Sequence, residues 1–509
     1  MLSSAVIERS EKSVRAGFAL TVVTFGITLV LGGASIAGFA TDAGAELAAL
    51  PLLAAALIRL AAVPATRLSQ VRFPLVLLAA LLLLPLLQLV PLPPGLWTNL
   101  PGRGFVAETF ALIGEARPWW PLSLDPPATL RAFLSLLPAA AIFLALLTTG
   151  LRERRILTLL LAAFAVFTVF LGLAQLAQGE DSPLRLYTIT NRDSSVGFFA
   201  NRNHHAAFLC AVLPLVLAWT VHVAGKRRSD GQVLSVVYAL AAILLLLGAA
   251  MTLSRAGILL ATLALGSGAL FLDFQSARGS RASAGRLMVV IGLIALVMIA
   301  NYALSGLIMR FGTVGGDDFR FAIWSITREA AWSVFPVGGG FGTFQPLYRL
   351  FDRPEALTDA YVNRAHNDWL ELVLEAGLPA LILMAVFLVW LVLASVRVWT
   401  RRTTAETRLD TMLARAATIG IALFLAHSVV DYPLRTIAAQ ATFACLCALL
   451  VPPLCERESP ARRRGRGTRN AAGSHRDRPE REGGSVRPGS GPSSPPSPPR
   501  DRRSLNWTE

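Results

Sequence analysis

Runs of roughly twenty mostly apolar residues, enough to cross a bilayer as a helix, recur along this chain as far as residue 453, with polar segments between them. Each is read as a membrane span: 16–40, 47–65, 73–92, 130–147, 156–177, 205–223, 233–253, 256–274, 287–308, 377–399, 413–430 and 438–453. The first run is too long for the core of a signal peptide and is read as a retained span. Composition agrees, because 54% of residues are hydrophobic and 16% charged, against roughly half and a quarter in soluble domains. The expected fold is all-α: a polytopic helical bundle of roughly twelve transmembrane helices over residues 1–455, with a long outward loop at 309–365 carrying amphipathic helices.

The net charge of +15 is distributed as topology signals and not as a nucleic-acid footprint. Arg67/Arg72, Arg152/Arg154/Arg155, Lys226/Arg227/Arg228, Arg278/Arg281/Arg286 and Arg397/Arg401/Arg402 form compact clusters in alternate loops, and such clusters stay in the cytoplasm. The N-terminal segment, with Arg9, Lys12 and Arg15, joins that side. Residues 456–509 turn abruptly to Arg, Gly, Ser and Pro, and a disordered basic cytoplasmic tail is expected there. The remaining loops, 41–46, 93–128, 179–203, a tight turn at Ser254 and Arg255, 310–364 and 431–435, face outward, where each arginine calls for an explanation other than topology. The 4 cysteines show neither a CxxC pair nor metal-ligand spacing, so no disulfide framework or zinc site is indicated.

Nearly all the candidate chemistry lies in the outward loops. Residues 197–205 read GFFANRNHH and place Asn201, Arg202, Asn203, His204 and His205 at the mouth of a span, where the plain alternative is a solvated loop with a helix cap at Asn203. Residues 253–257 read LSRAG; a charge such as Arg255 at the membrane boundary needs a partner or a function unless it snorkels to the interface. In the long loop, Arg320, Trp324 and Arg328 are four apart on one helix face, with Ile323, Thr327 and Ala331 in the row beside them, a pattern that suits a helix lying flat on a membrane. The GGGFG at 338–342 follows no strand and is not a dinucleotide fingerprint, but its amides suit the approach of an anion. Asp317 and Asp318 read as a solvated loop start, and HSVVDYPLR at 427–435 returns His427, Asp431 and Arg435 to the same side.

Residues 363–380, NRAHNDWLELVLEAGLPA, run from a polar segment straight into a long apolar helix. Glu371 and Glu375 are four apart and share a face, while Gly377 and Pro379 loosen the backbone before the apolar part. Asp368 with Glu371 spells a capping box, which accounts for those two acids and leaves His366 and Asn367 unexplained.

In their order along the chain, FANRNHH, LSRAG, the arginine–tryptophan helix ending in P-x-GGGFG, HND with its downstream glycine, and HSVVDYPLR resemble the O-antigen ligase and polymerase superfamily of bacterial membrane glycosyltransferases. The most specific element is a histidine, a small amide or hydroxyl residue, nine residues and Gly-x-x-Gly; here these are His366, Asn367, nine residues, Gly377 and then Ala380 in place of the second glycine. The resemblance implies transfer of a glycan from an undecaprenyl diphosphate carrier to a hydroxyl acceptor at the periplasmic face of the inner membrane, without nucleotide sugar; the basic clusters and an even span count put both termini in the cytoplasm, and with outward arginines and no outward DxD-like cluster neither metal nor cofactor is expected. The acceptor is left open among a lipid A core sugar, another carrier-linked glycan and a protein serine or threonine. A transporter or flippase for lipid-linked glycan is the alternative from another class, and the nearly clean apolar runs argue against its polar pathway.

The chemistry of such a transfer assigns the residues. A diphosphate leaving group develops negative charge that guanidinium groups stabilise in a two-donor fork, which points to Arg255 and Arg320, with Arg202 and Arg328 behind them. The acceptor hydroxyl needs orientation or proton removal near neutral pH, which points to His366. Asn201, Asn203, His204, Asn367, Glu371, His427, Asp431 and Arg435 are expected to bind substrate beside them.

Overall fold

In a computed structural model of the chain the described residues are 2–36, 38–224, 229–271, 292, 318–352, 362–404 and 406–455. The expected span at 287–308 apart from residue 292, the basic clusters at 226–228 and 278–286, and the tail at 456–509 lie outside them. Fifteen α-helices are described: α1 Leu2–Leu31, α2 Ala40–Ala61, α3 Ala65–Gln88, α4 Pro94–Trp97, α5 Gly104–Leu112, α6 Pro126–Leu147, α7 Leu151–Ala177, α8 Arg202–Ala224, α9 Ser229–Met251, α10 Arg255–Gly266, α11 Asp318–Val334, α12 Phe344–Leu350, α13 Asp368–Thr400, α14 Arg408–His427 and α15 Ile437–Leu449. Nine of the described helices are long and apolar enough to cross a membrane, and α10 and α15 are shorter apolar helices. The only described strands, Pro91–Leu92 and Trp120–Pro121, pair antiparallel and close the segment between α3 and α6.

The bundle is organised on α8, which is buried along nearly its whole length against α9, α10 and α14. In hydrocarbon, helix association relies on close backbone approach, and α2, which packs on α6 and α1, buries Ala45, Ala49 and Ala56 together with Leu52. Asp125 caps α6 by accepting from the Ala128 amide at 3.0 Å, and Pro126 and Pro127 occupy positions that have no helical partner to lose.

Two expected boundaries move. The first apolar run continues to residue 40, yet α1 stops at Leu31, because Gly32 and Gly33 follow and a Cβ on Gly33 would collide with the Phe198 carbonyl. The Gly33 amide instead donates to the Tyr187 hydroxyl at 3.0 Å, which in turn donates to the Leu31 carbonyl at the helix end. Residues 41–46, expected as a loop, form the first turns of α2.

The decisive irregularity is in α13. Pro379 has no N–H to give the Glu375 carbonyl, and Gly377, at φ +56 and ψ −135, breaks the helix in a conformation open only to glycine. Into that break docks the glycine-rich turn that follows α11. Gly339 N–H donates to the Leu374 carbonyl at 2.9 Å, Gly340 N–H to the Glu375 carbonyl at 2.8 Å, and Leu378 N–H to the Pro336 carbonyl at 2.8 Å. The Gln88 amide reaches the same Glu375 carbonyl at 3.0 Å while its oxygen accepts from Phe341 N–H at 3.0 Å. The Leu374 and Glu375 carbonyls and the Leu378 amide thus find partners at the break, as buried backbone groups require. The turn's amides do approach an anion, and it is the protein's own: Gly342 N–H donates to Oε1 of Glu375 at 2.8 Å.

Candidate active site

Three segments meet at one end of the bundle: the start of α8, the residues leading into α13, and the turn that follows α14. Asn201 initiates α8, its side-chain oxygen accepting from Asn203 N–H at 2.8 Å, so the cap expected at Asn203 falls two residues earlier. That frees the Asn203 amide to donate to Oδ2 of Asp431. Asn367 caps α13 by accepting from Leu370 N–H at 3.0 Å, which replaces the capping box read from Asp368 and Glu371.

Asp431 is the hub. Its Oδ1 accepts from His366 Nδ1 at 3.2 Å and from Tyr432 N–H at 2.9 Å. Burial pushes its carboxyl up, but the His366 hydrogen bond and the charges of His366, His204 and His427 outweigh this and hold it well below the usual carboxylate range. An ionised carboxylate only accepts, so Nδ1 of His366 carries a proton, and Nε2 is the ring nitrogen turned away from the carboxylate. The His366 side chain is 25% exposed while that of Asp431 is 1% exposed, which puts the imidazole at the surface of a buried anion. His366 also has φ +50, a left-handed conformation that non-glycine residues hold only when their surroundings impose it.

The surroundings are aromatic and amide groups. Tyr432 lies between two imidazoles in edge contact, His204 at 4.7 Å and His366 at 4.9 Å between ring centroids. Its hydroxyl accepts from the side-chain amides of Asn201 at 3.4 Å and Asn363 at 3.3 Å. Burial and the Asp431 charge push its pKa up to about 12. Trp324 Nε1 of α11 donates to the His366 carbonyl at 3.4 Å, tying that helix to the site. His204 and His427 are fully buried, and none of their ring nitrogens has a hydrogen-bond partner among the described residues. Asp431, His427, His366 and Arg364 are the charges acting on His204, and Asp431 and Arg320 those acting on His427.

Behind this surface lies an ion network. Arg435 donates from Nη1 to Glu375 at 2.5 Å and from Nε to Asp368 at 3.3 Å, and Glu371 is 3.6 Å from the same guanidinium. Glu371 also accepts from Arg364 at 2.8 Å and from Ala365 N–H at 2.9 Å, and Asp368 from Ser428 at 2.7 Å and Leu434 N–H at 3.2 Å. Burial lowers the Arg435 pKa, but Glu375, Glu371 and Asp368 overcome it and hold the group charged far above its usual range. Glu371 and Arg435, expected at the substrate, therefore sit one layer behind His366, where they lock the loop that carries it.

Of the expected residues, His366, Asn201, Asn203, His204, His427 and Asp431 are brought together, with Arg320 close enough for its charge to reach His427. Asn367 is a cap, Arg202 forms an outer ion pair with Asp193 at 3.2 Å, and Arg255 is exposed at the first turn of α10. Arg328 is exposed on α11 and stands apart from the buried cluster. Asn363, Arg364, Asp368, Tyr432 and Glu375 were not singled out as site residues. A tyrosine between an acid and a proline in HSVVDYPLR was the available signal for Tyr432.

Arg103 accounts for one arginine of the segment expected to face outward. It is 1% exposed and donates to the carbonyls of Pro101 at 2.7 Å, Leu122 at 2.5 Å and Gly338 at 2.7 Å, and burial lowers its pKa to about 10. It fastens the glycine-rich turn to the segment between α3 and α6. No group of three or more His, Cys, Asp or Glu suited to a metal ion occurs among the described residues.

Residues 240–385 match the family model described as O-antigen ligase, a stretch that contains Arg255, Arg320, Arg328, His366, Asn367 and Glu371 and ends before His427, Asp431 and Arg435. No curated protein matches the chain by sequence.

Proposed function

We propose, from the premise that this chain is a member of the O-antigen ligase-like family of membrane enzymes, that it transfers a glycan from an undecaprenyl diphosphate carrier to a hydroxyl acceptor at the outward face of the inner membrane. The observation that carries the reading is a partly exposed imidazole, held at φ +50, hydrogen-bonded through Nδ1 to a buried carboxylate and tied to α11 through Trp324, with the charge of Arg320 on that helix acting on His427. In the reaction, the acceptor hydroxyl gives its proton to His366 Nε2 while its oxygen bonds to the anomeric carbon. The bond from that carbon to the diphosphate breaks, and the electron pair leaves on the phosphate oxygen. Asp431 keeps the tautomer and steadies the imidazolium that forms. Arg320 and Arg255 neutralise the departing diphosphate, the work a divalent cation does in other phosphate chemistry. Arg435, with Glu371 and Glu375, positions the His366 loop and does not touch substrate.

Purified protein given carrier-linked glycan and acceptor should transfer in excess EDTA and without nucleotide sugar. Activity lost to EDTA and restored by magnesium or manganese would remove the arginines from that role. A requirement for nucleotide sugar would overturn the donor, and carrier-linked glycan crossing the membrane without transfer would favour a flippase.

The reading also requires the His366 end of the bundle to face outward and both termini to be cytoplasmic. Glu115 belongs to the segment between α3 and α6 at that end, while Thr404 joins α13 to α14 at the other. Both are exposed. Of the native cysteines, Cys210, Cys445 and Cys447 are buried and Cys455 is exposed. In a Cys455→Ser background, a membrane-impermeant thiol reagent should label Glu115→Cys in intact cells and leave Thr404→Cys unlabelled. The opposite pattern would invert the topology.

A further inference from the structure

We propose that the ridge of α11 that starts at Arg320 and continues through Trp324, Arg328 and Trp332 is a carbohydrate track, in which Arg320 faces the diphosphate and Trp324, Arg328 and Trp332 hold the donor glycan beyond it. Residues four apart form one continuous ridge on a helix surface, and this ridge alternates guanidinium and indole along its whole length. It also climbs out of the protein. Arg320 and Trp324 are half-buried, with Arg320 acting on His427 and Trp324 bonded to the His366 carbonyl, whereas Arg328 is exposed and Trp332 is 76% exposed. Trp324 and Trp332 are eight residues apart, about 12 Å along the axis, so the ridge leads from the reacting histidine two turns outward.

The exposed end is prepared as a flat surface. Phe335 stacks on Trp332 with ring centroids 5.6 Å apart and planes 6° from parallel, which backs one face of the indole and leaves the other open. Neither Arg320 nor Arg328 has a hydrogen-bond or ion-pair partner among the described residues. A pyranose ring offers an apolar C–H face to an indole and hydroxyl or carboxylate groups at its rim to a guanidinium, so alternating Trp and Arg suit successive sugars. An interfacial helix would turn its apolar face to lipid. Here that face is spent on the protein, because Ile323, Ile326, Ala330 and Val334 are buried against Phe344, Leu347 and Leu374. The residues left exposed on α11 are Phe321, Ser325, Arg328, Glu329 and Trp332, an outer strip that mixes aromatic and charged groups.

The track rests on the glycan-transfer reading, so its test measures binding without transfer. The producing cell's own surface polysaccharide, released from lipid by mild acid, sized to several repeats and end-labelled, is titrated by fluorescence anisotropy against the full-length protein in nanodiscs. Trp332→Ala should weaken binding about tenfold, Trp332→Tyr should stay within about threefold of wild type, and Arg328→Gln should also weaken it, with melting temperatures unchanged. Unchanged affinity in Trp332→Ala, or no binding by the wild-type protein, overturns the track. Unchanged affinity together with impaired reconstitution into anionic vesicles would assign the ridge to the membrane instead. Polysaccharide binding that responds to Trp332→Ala in a protein that transfers nothing would overturn the transferase reading and leave the track standing.

Discussion

His366→Ala is expected to lower glycan transfer by on the order of a hundredfold or more, the usual worth of a positioned proton acceptor. The fold should survive, since Asp431 keeps Tyr432 N–H and the Asn203 amide as donors when the imidazole is removed. Alanine tolerates φ +50 less well than histidine, which by itself costs roughly 1 kcal/mol. His366→Asn separates the two effects. Asparagine adopts the left-handed conformation readily and still donates to Asp431, but has no basic nitrogen, so it should match the alanine variant in turnover and the wild type in melting temperature. Transfer and thermal melting measured on the same detergent preparations decide the matter. A stable His366→Asn enzyme with near wild-type turnover would leave His366 a merely structural residue.

Arg435→Met is expected to cost about 3–5 kcal/mol of stability, because removing one partner of a buried ion pair strands the other charges. Glu371 retains Arg364 and Ala365 N–H, but Asp368 loses its only cationic contact among the described residues and Glu375 loses its shortest one. The loss should reach the site, since Asp368 N–H donates to the Asp431 carbonyl at 3.3 Å and Glu375 holds the glycine-rich turn. Arg435→Lys keeps the charge but cannot reach two carboxylates with one planar fork, so it should melt between methionine and wild type and retain measurable transfer. If Arg435→Met melted with the parent and failed only in transfer, Arg435 would belong at the substrate after all.

Legibility followed the range of the interaction. A span is a local property, set by how many consecutive apolar residues cover the bilayer, and eleven described apolar helices lie where apolar runs were read. The residues of the hub were also nameable, because Asn203, His204, His427 and Asp431 stand at the ends of runs and His366 lies in the polar segment that leads into one. Their roles were not. His366 and Asp431 are 65 residues apart and Asn203 and Asp431 are 228 apart, and no periodicity says which polar groups at one end of a bundle will meet. Arg320 and Arg328 look alike on a helix face, and only the packing of α11 on α13 exposes one and half-buries the other. Nor does composition show that Glu371 and Arg435 are buried together in one ion network.

By itself, then, the sequence determined that this chain is a helical membrane protein with its polar chemistry collected at span ends, since hydropathy over twenty residues and the cost of an unpaired backbone amide in lipid leave no other course. It also marked where the backbone of α13 loosens, at Gly377 and Pro379, and the structure turns that loosening into a break at Gly377. Only the tertiary structure decided what fills that break. The glycine-rich turn, Gln88 and Arg103 converge there from three distant segments, and the strained His366 is held against Asp431 by the ion network behind it. These are long-range contacts between groups costly to bury alone, and their pairing is settled only when the helices that carry them pack.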